Sequence, residues 1–170
     1  LWNAAVASGT SEKDWAQYAD TVSVCFSKGL GAPVGSCIAG TKELITEAHR
    51  MRKRLGGGMR QAGIIAAGAL YALEYHRERL AEDHRRAKTL ARGLSTIPGF
   101  NVDPDHVDTN IVLVDFSGRG LEVERFAASI KEKGILVTFA GRMKARMVTH
   151  LDIGDEEIEQ AISVIGRLYR

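Results

Sequence analysis

Apolar and polar positions along the chain change period several times, and each change marks an element. LWNAAVASG reads as a short helix stopped by Gly9. Ser11 with Asp14 forms a capping-box pattern and opens a helix to about Tyr18. TVSVCFS is rich in β-branched residues and reads as a mostly buried strand, and VGSCIAG (34–40) reads as another. Thr41 can cap a helix to about Arg54 whose face carries Leu44, Ile45, Ala48, Met51 and Leu55. The three glycines of LGGGMRQAG demand a loop. From about Gln61 to Arg92 the pattern predicts one long helix. Its first half, AGIIAAGALYAL, is apolar all round and is expected to be buried; Gly93 is expected to end it.

Beyond residue 93 the texture changes. FNVD and NIVLVDF read as strands, LEVERFAASIKEKG as an amphipathic helix ending at Gly134, and ILVTF and KARMVTHLDI as further strands. A last helix from Asp155 to about Leu168 puts Ile158, Ala161, Ile162 and Ile165 on one face. The chain therefore divides into residues 1–93 and a small α/β domain of residues 94–170, giving the α/β class.

Composition bounds the function. A net charge of +2 is too small to require nucleic acid or an anionic membrane as partner, and no run of eighteen apolar residues suggests a membrane span. Cys25 and Cys37 fit neither a disulfide framework nor a metal site, so no metal is expected and a reducing cytoplasm is the default. The chain starts at Leu1 without an initiator Met, as though cut from something longer. AHRMRKRLGGGMR holds five Lys or Arg and no acid. It lacks interleaved aromatics for base stacking, so a solvated face or a subunit contact is the plainer reading.

SVCFSKGLGAPVGS (23–36) carries the candidate chemistry. GLGAPVG fails as a dinucleotide fingerprint because Val34 stands where glycine is required; GSCIAGTK fails as a phosphate loop because Lys42 is one place late. A penicillin-binding S-x-x-K pattern fails at Cys25. What remains is Lys28 at the mouth of an apolar strand. Burial there would favour the neutral amine, the form that attacks an aldehyde. Gly29 and Gly31 allow close approach of a planar ligand, and Ser27 and Ser36 offer hydroxyls. This suits a lysine anchoring pyridoxal 5′-phosphate. Taken alone the pattern is weak, and an ordinary surface lysine opening a turn is the plainer reading of that stretch.

The strings NAAVASG, SVCFSKGLGAPVGS, RKRLGGGMRQAG and RMVTHLD, in this order, resemble the low-specificity L-threonine aldolases over essentially the whole chain. The resemblance implies the fold of pyridoxal-phosphate-dependent transferases of fold type I. Residues 1–93 would be the C-terminal part of the cofactor-binding large domain, and 94–170 the small C-terminal domain. It implies a carbon–carbon lyase that converts L-threonine or L-allo-threonine to glycine and an aldehyde. Lys28 would form the internal aldimine, with Ser27, Gly57, Gly58 and Arg60 at the cofactor. Arg60 would reach a neighbouring subunit's phosphate in a homo-oligomer, dimer or tetramer. Arg146 would bind the substrate carboxylate, while His150 reads as structural.

Family members are about twice this length. An Asp-Gly-Ala-Arg motif, a ring-stacking histidine and a phosphate loop lie in the half preceding Leu1, so the chain alone is expected to be inactive. Other readings are a β-eliminating lyase or aminotransferase using the same cofactor, or a non-catalytic subunit or basic binding module on the same fold.

Overall fold

A computed structural model describes all of residues 1–170, which form two compact units, Leu1–Leu80 and Ala81–Arg170.

In the first unit, α1 (Trp2–Ser8) stops at Gly9, which takes a left-handed conformation at φ 68°. The Ser11 hydroxyl accepts the Asp14 N–H at 3.1 Å and caps α2 (Glu12–Ala16). β1 (Thr21–Cys25) pairs antiparallel with β2 (Ser36–Gly40), from Thr21 opposite Gly40 to Cys25 opposite Ser36. No residue of either strand is fully buried: β1 alternates between exposed and partly buried positions and β2 is exposed throughout, short of the burial expected for TVSVCFS.

Thr41 caps α3 (Lys42–Arg54) as the sequence suggested. The exit of α3 is a Schellman turn. Gly56 N–H donates to Lys53 O at 3.1 Å and Gly57 N–H to Arg52 O at 2.8 Å, with Gly56 at φ +84°. A Cβ on Gly57 would lie 3.1 Å from the Arg52 carbonyl.

The long helix expected over 61–92 is two helices, α4 (Gly63–Tyr75) and α5 (Leu80–Ser95). No proline or glycine makes the break. His76 Nδ1 bonds the Leu30 carbonyl oxygen at 2.7 Å, Arg77 pairs with Glu12 at 3.1 Å, and Leu80 is drawn into a small cluster with Leu30, Ala32 and Ala72. Gly93 does not end α5; the helix continues through it to Ser95. The expected burial of α4 is also absent: Ala72 alone is buried, while Ile64 is 84% exposed and Tyr75 63%. The apolar pattern records a surface that needs covering.

In the second unit, β3 (Ile111–Asp115), α6 (Val123–Lys131), β4 (Thr138–Gly141), β5 (Lys144–Val148) and α7 (Asp155–Tyr169) follow α5. The β-α-β-β-α order matches the sequence pattern. FNVD contributes only an isolated bridge, Asn101 to Asp115, instead of a strand. The sheet order is β3-β5-β4, antiparallel throughout. Val112, Val114, Ala145 and Met147 point from one sheet face into a core with Leu90 and Leu94 of α5, Phe126 and Ile130 of α6, and Ile158 and Ile165 of α7. Phe100, Phe116 and Phe126 stack at centroid separations of 4.5 to 5.8 Å. The other sheet face, with Ile111, Leu113, Thr138, Lys144 and Arg146, stays open. The division between units falls after Leu80, not after residue 93, because the helix breaks where Leu80 is buried and α5 packs into the second core. No helix is long and apolar enough to cross a membrane.

Candidate active site

β1 ends at Cys25, and the chain folds back on itself before β2. Phe26 N–H donates to Gly35 O and Ala32 N–H to Phe26 O, both at 3.0 Å. Lys28 opens a turn that Gly31 closes, its N–H on the Lys28 carbonyl at 2.8 Å and its φ at +70°. Leu30 and Ala32 anchor the loop in the small cluster. A Cβ on Gly29 would meet Leu80 Cδ2 at 3.0 Å. Packing thus explains Gly29 and the left-handed turn explains Gly31, glycines which the sequence pattern had suggested for ligand approach.

Lys28 lines a cleft of about 190 Å³ with Trp2, Asn3, Ser23, Cys25 and Leu80. The ammonium is exposed, so the burial expected at a strand mouth is not provided by these residues. Ser23 and Cys25 share one face of β1, two residues apart. Alternation alone could have singled out Ser23. Trp2 and Asn3 carry no such signal: the start of α1 brings them to the cleft.

The lining is rich in hydrogen-bond donors and contains no carboxylate or histidine. The Trp2 indole N–H is buried without an acceptor. A buried donor left unpaired costs about 1–3 kcal/mol. An amine, an amide, hydroxyl and thiol groups and an indole suit an anionic aldehyde rich in acceptors, and pyridoxal phosphate fits that description. A carboxylate to pair with a pyridine nitrogen is not among the lining residues.

Cys25 Sγ lies 3.2 Å from Ser27 Oγ. That hydrogen bond, followed by the Ser27 backbone N–H and the nearby Lys28 charge, holds the thiol below its ordinary pKa. Ser27 is therefore turned to Cys25 and does not line the cleft. Gly57, Gly58 and Arg60 belong to the α3–α4 loop and do not line it either. Arg60 is exposed, two residues before the Ala62 cap of α4, which has no side-chain cap bond. Arg146 lies in the second unit on central strand β5, opposite Leu113 of β3 and Thr138 of β4. Its guanidinium makes no ion pair or hydrogen bond. His150 stands 3.5 Å from Asp152 and is exposed.

Solved structures share this fold, two of them as follows. A putative L-allo-threonine aldolase from Listeria monocytogenes superposes with a TM-score of 0.78 at 21% identity, covering 98% of this chain and 49% of that one. A putative aromatic amino acid beta-eliminating lyase/threonine aldolase from Exiguobacterium gives 0.79 at 18%, covering 99% and 50%. The chain thus has the α/β fold of about half of each of those structures. The family model for beta-eliminating lyases matches residues 1–117, and the chain belongs to that family. Pyridoxal 5′-phosphate is the family's cofactor.

Among curated relatives, a probable low-specificity L-threonine aldolase 2 of Arabidopsis thaliana is 41% identical over 170 residues, covering 99% of this chain and 48% of the relative. A low specificity L-threonine aldolase of Escherichia coli O157:H7 is 40% identical over 162 residues, covering 94% and 46%. The chain thus spans about half the length of these relatives.

Proposed function

We propose that the whole protein is a threonine aldolase that cleaves the Cα–Cβ bond of L-threonine or L-allo-threonine, giving glycine and an aldehyde. One observation carries this reading: Lys28 lines a donor-rich cleft in a chain 41% identical, over nearly all its length, to a probable low-specificity threonine aldolase. Lys28 would hold the cofactor covalently through its amine, and Arg60, beside the uncapped start of α4, would hold its phosphate. When bound, pyridoxal phosphate supplies the electron sink for the pair released from the broken bond. Arg146, free of acidic partners, is available to clamp the substrate carboxylate through two parallel N–H bonds.

The β-hydroxyl proton needs a base. None lines the Lys28 cleft, so the base and the pyridine-nitrogen carboxylate fall to other parts of the whole protein. Residues 1–170 alone are therefore proposed to give no turnover. Arg60 would serve a neighbouring subunit, so the assembly is proposed to be a homodimer or homotetramer. The exposed apolar side chains of α4 and of the preceding loop, Met59 and Ile64 among them, support a covered surface there.

The test is chemical trapping. The whole protein is incubated with pyridoxal phosphate, reduced with borohydride and peptide-mapped. A pyridoxyl mass on the Lys28 peptide is expected; an unmodified Lys28 in active protein overturns the assignment. A second reading, β-elimination, is favoured by the match to the beta-eliminating lyase model. Product analysis separates the two: glycine plus an aldehyde for the aldolase, a keto acid plus ammonia for the eliminating lyase.

A further inference from the structure

Arg146 differs from the cations just before it in the chain in how it is held. Lys144 pairs with Asp115 at 3.1 Å, and Arg142 Nε donates to Glu122 at 2.9 Å. Arg146 has no such partner. Its placement depends on its backbone and on the two residues that flank it across the strands. In an antiparallel sheet those direct partners share its face, with Cβ atoms about 4.5–5.5 Å away.

On one side is Leu113, 54% exposed on the open face. Arginine stems lie along such apolar surface while the guanidinium stays in water. On the other side is Thr138, whose hydroxyl donates to the Arg146 carbonyl at 3.1 Å. That bond falls just before the register of β4 against β5 shifts, between Phe139 and Gly141. The edge strand is only four residues long and wholly exposed. At the point where the ladder becomes irregular, a side chain therefore reinforces the attachment of β4 to the peptide that carries Arg146.

We propose that Thr138 and Leu113 are positioning residues for a carboxylate clamp at Arg146. Thr138 fixes the Arg146 backbone, and Leu113 is the wall along which the arginine stem lies. The inference rests on the substrate-carboxylate role proposed above for Arg146. A two-bond clamp depends on geometry, so loosening either support weakens carboxylate binding and leaves the bond-breaking step alone.

The test uses the whole, cofactor-loaded protein. Titrations with glycine and with glycinamide, followed through cofactor absorbance, separate carboxylate-dependent binding from the rest. Thr138→Val is expected to weaken glycine binding and raise KM for L-threonine about fivefold, the worth of one ordinary hydrogen bond, with kcat within about twofold. Glycinamide affinity should not move. Thr138→Ser should restore glycine binding, and Leu113→Met should retain more of it than Leu113→Ala. Unchanged glycine affinity in both Thr138→Val and Leu113→Ala, or equal weakening of glycine and glycinamide, overturns the proposal. Arg146→Gln separates the two levels. If it leaves glycine affinity intact, the clamp itself fails; if it weakens glycine while the flanking variants do not, only the positioning roles fail.

Discussion

Ile162 on α7 occupies the space that a side chain at Gly93 on α5 would need. A methyl built on Gly93 would stand 2.6 Å from both Cδ1 and Cγ1 of Ile162 and 2.7 Å from Cγ2. Glycine inside an exposed helix ordinarily costs about 0.5–1 kcal/mol relative to alanine. Here overlap outweighs propensity, so Gly93→Ala should destabilise the chain by about 1–3 kcal/mol. Adding Ile162→Ala should recover part of that loss. A double-mutant cycle by urea unfolding measures it, and two independent, additive effects would refute the contact as the cause.

Asp115 gives a pH signature. Its carboxylate accepts from the Ser117 hydroxyl and from the Ser117 N–H at 2.8 Å, and it pairs with Lys144 at 3.1 Å. These contacts, Ser117 first, lower its pKa to about 2. A lowered carboxylate pKa adds stability above the unfolded value of about 3.9, and that stability is lost as pH falls through the folded value. Between about pH 4 and pH 2, Asp115→Asn should therefore show a shallower fall in urea midpoint than the parent chain. Parallel curves in that window would contradict the assignment.

Cys25 should react ahead of its pKa class. Its thiol is held low chiefly by the Ser27 hydroxyl, so its iodoacetamide labelling should rise with pH earlier than that of an ordinary thiol. Ser27→Ala should move that rise to higher pH while leaving Cys37 labelling unchanged. Mass spectrometry of the two peptides reports each cysteine separately. An unmoved Cys25 profile would mean that Ser27 does not set its reactivity.

Thr149 ties three segments of the second unit. Its hydroxyl donates to the Asp83 carbonyl at 2.6 Å, its N–H to Asn110 O at 3.0 Å, and Asn110 Nδ2 donates to its carbonyl at 2.9 Å. Thr149→Val keeps the shape and removes the buried hydroxyl bond. A loss of about 1–2 kcal/mol in denaturant unfolding is expected. A change below about 0.3 kcal/mol, small beside the usual worth of a hydrogen bond, would show that the hydroxyl adds nothing there.

Local signals were legible in the sequence where local chemistry decides. Thr41 and Ser11 cap helices because a hydroxyl can reach the N–H three residues on. The period of α7 placed Ile158, Ala161 and Ile165 in the core. The break between α4 and α5 was not legible, because residues 76–79 are sound helix formers. The contacts that interrupt them, His76 to Leu30 and Arg77 to Glu12, come from 46 and 65 residues away. Of the residues lining the cleft, Lys28 stood out in the sequence by its position after an apolar run. Trp2 and Asn3 were not, because only the fold brings the start of α1 to that loop.

The two units differ in how far they complete their own interiors. Residues 81–170 close a core that draws on three helices and a sheet, whereas the buried cluster of residues 1–80 is four side chains. Synthesis runs in the opposite order: of the two, the segment with the least to bury is made first. At about 5–20 residues per second, α4 is fully made several seconds before the last turn of α7 exists. Ile64, Leu70 and Tyr75 are still exposed once α7 is complete, so finishing the second unit does not shield them. The finished chain therefore presents the same apolar surface to a chaperone or partner as the nascent one.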